Sequence, residues 1–295
     1  MKKGLLLAVG SYVSWGFLSL FWKLLGNVDS YDVFSYRILS TMLTMVVYFF
    51  VFGKVGKLKT DLTQLVANKK ELTSMIAASF LISINWIVYI YAIAHHQATA
   101  ASLGYYINPL FSVLLAVVLL KETLDNYTKI SLFLAVSGVV ILAVQGGHLP
   151  IISIILPLSF GTYGFIKKNV VLSSDVAMLV ETLVITPFIL IYLFFFAKHN
   201  LLDYSASQLG LLLISGIITA IPLLLFSEAL KRAPLNVVGF VQYLNPTIQL
   251  VIAIFLFHEP FKFENLYGFL AIWLAIIVFI IGQIIVIKKT RNMIK

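Results

Sequence analysis

Tyr105-Tyr106-Ile107-Asn108-Pro109 recurs as Gln242-Tyr243-Leu244-Asn245-Pro246, and a glutamate follows thirteen residues beyond each proline, at Glu122 and Glu259. Both copies sit in the middle of an apolar run. A second echo precedes them in the same order: Ser11-Tyr12-Val13-Ser14-Trp15-Gly16-Phe17 is matched by Ser159-Phe160-Gly161-Thr162-Tyr163-Gly164-Phe165. Two echoes in one order divide the chain into two repeats, 1–146 and 147–295.

The composition names the solvent of those repeats. Of 295 residues, 61% are apolar and 11% charged, with mean hydropathy +1.01. A soluble domain is roughly half apolar and about a quarter charged, so lipid must face most of this surface. Apolar stretches near the length that crosses a bilayer, about 20 residues, predict spans at 4–25, 32–52, 72–94, 98–120, 128–145, 151–166, 175–197, 207–230, 235–256 and 266–287. The run after Met1-Lys2-Lys3 continues to Leu25 with no small-residue cleavage site, which makes it the first span and not a signal peptide. Five spans per repeat is odd, so the second repeat enters the bilayer from the opposite face. The expected fold is an all-α membrane protein of ten transmembrane helices in two inverted five-helix repeats.

The charges orient it. With a cytoplasmic N-terminus, seventeen Lys and Arg fall on the inner side, two (Lys198, Lys262) outside, and Lys23 and Arg37 within spans. That asymmetry follows the positive-inside rule and places both termini in the cytoplasm of a plasma (inner) membrane protein. It also explains the net charge of +9 without a nucleic-acid partner, since the positives face anionic lipid. The chain has no cysteine, which removes disulfides, thiolate metal sites and cysteine nucleophiles. The longest loop, 53–71, carries an expected surface helix at 61–70, and Gly53-Lys54-Val55-Gly56-Lys57 lacks the spacing of a phosphate-binding loop.

Candidate site residues come from polarity at depth. Proline has no N–H and clashes with the carbonyl four residues back, here Tyr105 and Gln242, so Pro109 and Pro246 are hinge candidates. Ser102, Tyr105 and Asn108 share one helical face, and Gln242 and Asn245 share the matching one, with Tyr243 beside them. Such polar groups are tolerated in the bilayer where they meet protein or line a cavity; the other reading is a packed kink. Asn85, Trp86 and Tyr89 form a third stripe, and Trp15 and Tyr163 are deep aromatics, whereas Trp22 reads as an outer interfacial belt residue. Arg37 and Glu181 lie at matching depths in spans two and seven. They either bind a charged substrate or take part in proton coupling, or else Arg37 snorkels and Glu181 makes a structural bond. Glu228, followed by Lys231 and Arg232, is explained about as well by a salt bridge as by a functional role. His95, His96, His148, His199 and His258 all map to the outer side without metal-ligand spacing, so no metal and no cofactor is expected.

These residues resemble a known family. Trp15-Gly16 with Lys23, Arg37-Ile38-Leu39-Ser40, Asn85-Trp86 with Tyr89, and 101–110 are similar to the RarD branch of the EamA drug/metabolite transporters. So are 159–164, Glu181-Thr182-Leu183 and 239–246. The resemblance covers nearly the whole chain. It implies two repeats around a central cavity, with the fifth and tenth helices at the side. The sequence departs from the branch at Ser19 (commonly proline), Phe21 (often tyrosine) and Tyr36 (often histidine), which implies a straighter first helix and a different partner for Arg37. The function expected is secondary-active export of a small polar or amphipathic metabolite or drug by alternating access, with no enzymatic step. The rivals are a channel and a lipid-modifying membrane enzyme. The partners expected are a small-molecule substrate and the bilayer, with a homodimer left open.

Overall fold

Uninterrupted apolar sequence in a medium without water must satisfy its backbone internally, and a helix does so within one segment. The computed structural model describes residues 2–94, 98–146, 151–256 and 263–293. Its helices are α1 (Lys2–Lys23), α2 (Ser30–Val51), α3 (Val55–Ala67), α4 (Lys69–Ala94), α5 (Ala98–Val118), α6 (Asn126–Gly146), α7 (Ile151–Asn169), α8 (Ser174–Phe195), α9 (Ala206–Arg232), α10 (Leu235–Val241), α11 (Leu244–Phe255) and α12 (Leu266–Met293). Among the described residues nine segments are long and apolar enough to cross a membrane, with α10 and α11 together forming one of them. The tenth is α5, whose described apolar stretch is Leu103–Val118.

Packing between the halves is two-fold. α1 lies on α9 as α7 lies on α4, α2 on α9 as α8 on α4, and α5 on α7 as α10 and α11 on α1. The pairs α2–α8, α5–α10 and α6–α12 map onto themselves when each span is exchanged for the one five later. The repeated serines show why the motif recurs. Ser11 in α1 donates to the Pro222 carbonyl of α9 at 2.8 Å, while its echo Ser159 in α7 accepts from the Asn85 amide of α4 at 3.1 Å. Each ties the first helix of one repeat to the third span of the other. The main core joins Tyr12, Tyr106, Phe160, Tyr163, Phe226 and Tyr243 from both halves. Outward-facing Phe50, Phe133 and Phe194 are exposed, as lipid contact requires.

Three local expectations are corrected. The surface helix begins at Val55 and stops at Ala67, earlier than 61–70. The sixth span reaches Asn169, so Lys167 lies in the last turn of the helix with its side chain 2% exposed inside the protein. The two Asn-Pro helices differ as well. α5 continues through Pro109, whereas span nine breaks between Val241 and Leu244. Tight three-residue bonds turn the chain there: Gln242 N donates to Gly239 O at 3.2 Å and Asn245 N to Gln242 O at 3.0 Å. Pro246 therefore sits in the first turn of α11, where its missing N–H costs nothing, and the Gln242 carbonyl is not orphaned.

Backbone meets backbone between the halves at Gly216 in α9. A Cβ there would collide with the Ser40 main-chain carbonyl of α2, and the Gly216 N–H donates to Ser40 Oγ at 3.1 Å. Backbone cannot rotate away as a side chain can. Gly216→Val is expected to destabilise the fold by about 1–3 kcal/mol or more, read as a lower unfolding midpoint in detergent. Gly210→Val, with nothing near its Cβ, should leave the midpoint in place.

Candidate functional site

Arg37 and Glu181 each stand seven residues beyond the first residue of their helix, Ser30 and Ser174. At about 1.5 Å per residue this is roughly 10 Å into the protein, from opposite faces in an inverted pair. Their surroundings differ. Glu181 is ion-paired with Lys167 at 2.8 Å, at an angle poor for a hydrogen bond, with the two side chains 4% and 2% exposed. The Tyr163 hydroxyl donates to the same carboxylate at 3.2 Å. Arg37 has instead two aromatic faces. Its guanidinium carbon lies 3.9 Å from the Trp86 ring centre and 5.1 Å from that of Trp22. Trp22, read as a belt residue, thus also faces Arg37, and Arg37 is buried, not snorkelling. Tyr89 and Tyr105, with rings 5.5 Å apart, are the ionisable groups within its electrostatic reach.

Trp86 is also a wall of a small cavity, lined by Ile38 and Thr41 of α2, Ile82 and Ser83 of α4, Met178, Glu181 and Thr182 of α8, and Leu223 of α9. About 10 Å³ is open to the centre of a water molecule, space for about one water. Spans two, three, seven and eight enclose it, again two from each half. Of the expected lining, Trp86 and Glu181 border this cavity. Thr41, Ser83 and Thr182 were missed, although Thr41 follows Arg37 at one helical turn and Ser83 precedes Trp86 at three residues.

The remaining candidates are distributed around it. Asn85 donates to Leu156 O at 2.9 Å and to Ser159, bonding α4 to α7. Trp15 packs in an aromatic group with Tyr12, Phe160 and Phe226. The Asn-Pro segments do meet: Tyr106 and Tyr243, echoes of one another, have ring centres 6.4 Å apart. Asn245 accepts from Gln249 at 3.0 Å. The Asn108 amide, Gln242 Oε1 and the Tyr243 hydroxyl are buried with no hydrogen-bond partner among the described residues. The side chain of Ser102 lies outside the described ones, as do His95, His96, His148, His258 and Glu259. His199 packs against Tyr204. No group of residues suited to hold a metal occurs among the described residues.

Two clasps close the ends. At the N-terminus of α2, Asp32 is fully buried and accepts from Tyr192 at 3.0 Å and from Tyr204 at 2.5 Å, both on the second half. Sequence reading passed over Asp32, whose partners lie in the other half of the chain. At the N-terminus of α8, Asp175 pairs with Lys57 at 3.0 Å and Lys54 at 3.7 Å. The turn before it is bonded to the first half through Ser173 to Asp61 at 2.6 Å and the Leu172 N–H to Glu71 at 2.7 Å. Each clasp joins an aspartate opening one repeat's second span to groups of the other repeat. On the Asp175 face, Glu122 accepts from the N–H groups of Leu235 and Asn236, capping α10, and Lys168 donates to Ala233 O at the end of α9. Glu228 pairs with Arg232 at 2.8 Å, as its spacing implies, whereas Lys231 bonds the Leu172 carbonyl.

Among the described residues, nine apolar spans and the shorter α5, packed two-fold around a small internal cavity, make a multi-pass membrane protein. The chain belongs to the EamA-like transporter family, whose model matches residues 2–144 and 149–281. It is 39% identical to the uncharacterized transporter YojE of Bacillus subtilis over 96% of this chain and 95% of that protein. It is 31% identical to protein RarD of Escherichia coli over 99% of this chain and 98% of that one. These relatives set it in the RarD branch. A solved crystal structure 14% identical to it covers 93% of this chain and 96% of its own, with a TM-score of 0.68, which shows the fold alone.

Proposed function

We propose that the protein is a secondary carrier that exports a small polar or amphipathic metabolite by rocking the halves 1–146 and 147–295 about the central cavity. The observation that carries this reading is the pair of clasps on opposite faces, at Asp32 and Asp175, with the cavity between them. A carrier must close one face while the other opens, and inverted repeats supply the same latch twice, once per face. With both clasps made and room for about one water between them, the conformer suits an occluded intermediate. The basic face bearing Asp175, α3 and the helix ends at Lys168 and Lys231 is assigned to the cytoplasm of the inner membrane. The break between α10 and α11 supports a hinge in span nine, since a segment already turned by three-residue bonds can bend without losing a full helical turn.

Counterflow in proteoliposomes tests the reading. Vesicles preloaded with a transported compound should take up tracer transiently and saturably. Ohmic, non-saturating flux would make the protein a channel, and a chemically altered product would make it an enzyme.

A further inference from the structure

Arg37 is 9% exposed, and its Nε is buried with no hydrogen-bond partner among the described residues. A guanidinium inside a membrane protein is costly unless compensated. Stacking on Trp86 and Trp22 offsets part of that cost, because the ring quadrupole attracts the cation. Yet stacking engages the faces of the planar group and leaves its edge, where the N–H donors point. A planar two-oxygen acceptor is what that edge fits.

No protein carboxylate among the described residues fills the role. The described ion pairs do not include Arg37. Glu181 is taken by Lys167 at 2.8 Å. Asp32 lies five residues earlier, about 140° round the helix, and holds Tyr192 and Tyr204. Among the described residues, Tyr89 and Tyr105 act electrostatically on Arg37 and Trp86 stacks on it; their hydroxyls and indole N–H are all able to donate. The cluster is rich in donors and aromatic surface and poor in negative charge.

We propose that Arg37, framed by Trp22, Trp86, Tyr89 and Tyr105, is the subsite for a carboxylate, and that the cargo is a monovalent organic anion with an apolar body. This rests on the carrier reading and narrows it. A zwitterion is disfavoured because its ammonium needs an acceptor, and the one carboxylate bordering the cavity is already neutralised. One unpaired guanidinium balances one negative charge, so a dianion would leave one uncompensated.

The test uses four probes with a common phenyl body: 3-phenylpropionate, 3-phenylpropionamide, phenethylamine and L-phenylalanine. Binding to the purified full-length protein in detergent is followed by tryptophan fluorescence, with isothermal titration as a second readout. 3-Phenylpropionate is expected to bind about tenfold or more tightly than the other three, the margin of one charged hydrogen bond. Arg37→Gln should abolish that preference, and Arg37→Lys should keep its sign while weakening it. The proposal is overturned if the amine, amide or zwitterion binds as well as the anion, if none of the four binds, or if Arg37→Gln retains the preference. Should Arg37→Gln not survive purification, the ranking of the four probes on the unaltered protein still decides. Counterflow separates this inference from the carrier reading. Saturable counterflow of the amine or amide without anion preference would discard the subsite and keep the carrier, whereas selective anion binding with no counterflow would do the reverse.

Discussion

Lys167→Met is expected to cost about 3–5 kcal/mol of stability, because it strands the Glu181 carboxylate in the protein interior. The two side chains are 2% and 4% exposed and 2.8 Å apart, so neither has water to fall back on. The Tyr163 hydroxyl at 3.2 Å gives Glu181 one donor, too little to hold a full charge alone. Glu181→Gln should be destabilising for the converse reason, leaving the Lys167 ammonium unneutralised. In the double variant this site buries no charge, and the amide oxygen that replaces the carboxylate can still accept from Tyr163. Replacing a buried pair outright is commonly neutral or better, so the double variant is expected to unfold near the midpoint of the unaltered protein in detergent–SDS titration. Strictly additive losses would mean that the pair is not coupled. Counterflow by the double variant separates the roles open for Glu181: retained transport makes the pair structural, and lost transport in a folded protein makes the carboxylate a participant.

That pair also marks where sequence ceases to be legible. Hydropathy reports only the solvent around a segment, and in lipid that is nearly enough to set the spans: the expected bounds of span seven, 175–197, differ from the observed α8, Ser174–Phe195, by one and two residues. The inverted repeat was legible for the same kind of reason, because Ser11 and Ser159 recur as letters before their partners are known. Lys167-Lys168 defeated the method because two lysines after an apolar run look like its end. Lys168 does reach the end of α9, but one residue earlier the side chain points inward at a glutamate on the next span. Pairing across helices leaves no spacing to read. The Arg37 stack was hidden likewise, since Trp22 and Trp86 come from two other helices, and the cavity walls Thr41, Ser83 and Thr182 are ordinary residues made special by who faces them. Asn108-Pro109 and Asn245-Pro246 were recognisable as a pair, but which of them would break its helix was not, because the turn at span nine depends on bonds through Gly239 and Gln242.

Opening the two clasps should have unequal effects, and their bonding says which is larger. Asp32 is fully buried and holds two phenols. Hydrogen bonds to a charged group contribute about 1.5–3 kcal/mol each, so Asp32→Asn removes on the order of 3–6 kcal/mol of closure, less what is recovered by no longer burying a charge. The Asp175 clasp relies on Lys54 and Lys57, which are 39% and 44% exposed. Exposed pairs of that kind are worth about 0–1 kcal/mol and are screened by salt. A chain without cysteine allows a direct measurement, since Ser83→Cys places a single thiol on the cavity wall at a position 5% exposed. On that background, Asp32→Asn is expected to raise labelling by a membrane-impermeant maleimide about tenfold or more when it is applied to the face bearing Asp32. Asp175→Asn should raise labelling from the face bearing Asp175 only a few-fold, with high salt giving a similar rise in the unaltered clasp. Labelling that increases from both sides together would mean that the variants loosen the fold and do not shift a two-state equilibrium. Labelling unchanged by either substitution would remove the clasps from the mechanism, because a latch that can be cut without consequence is not holding a gate.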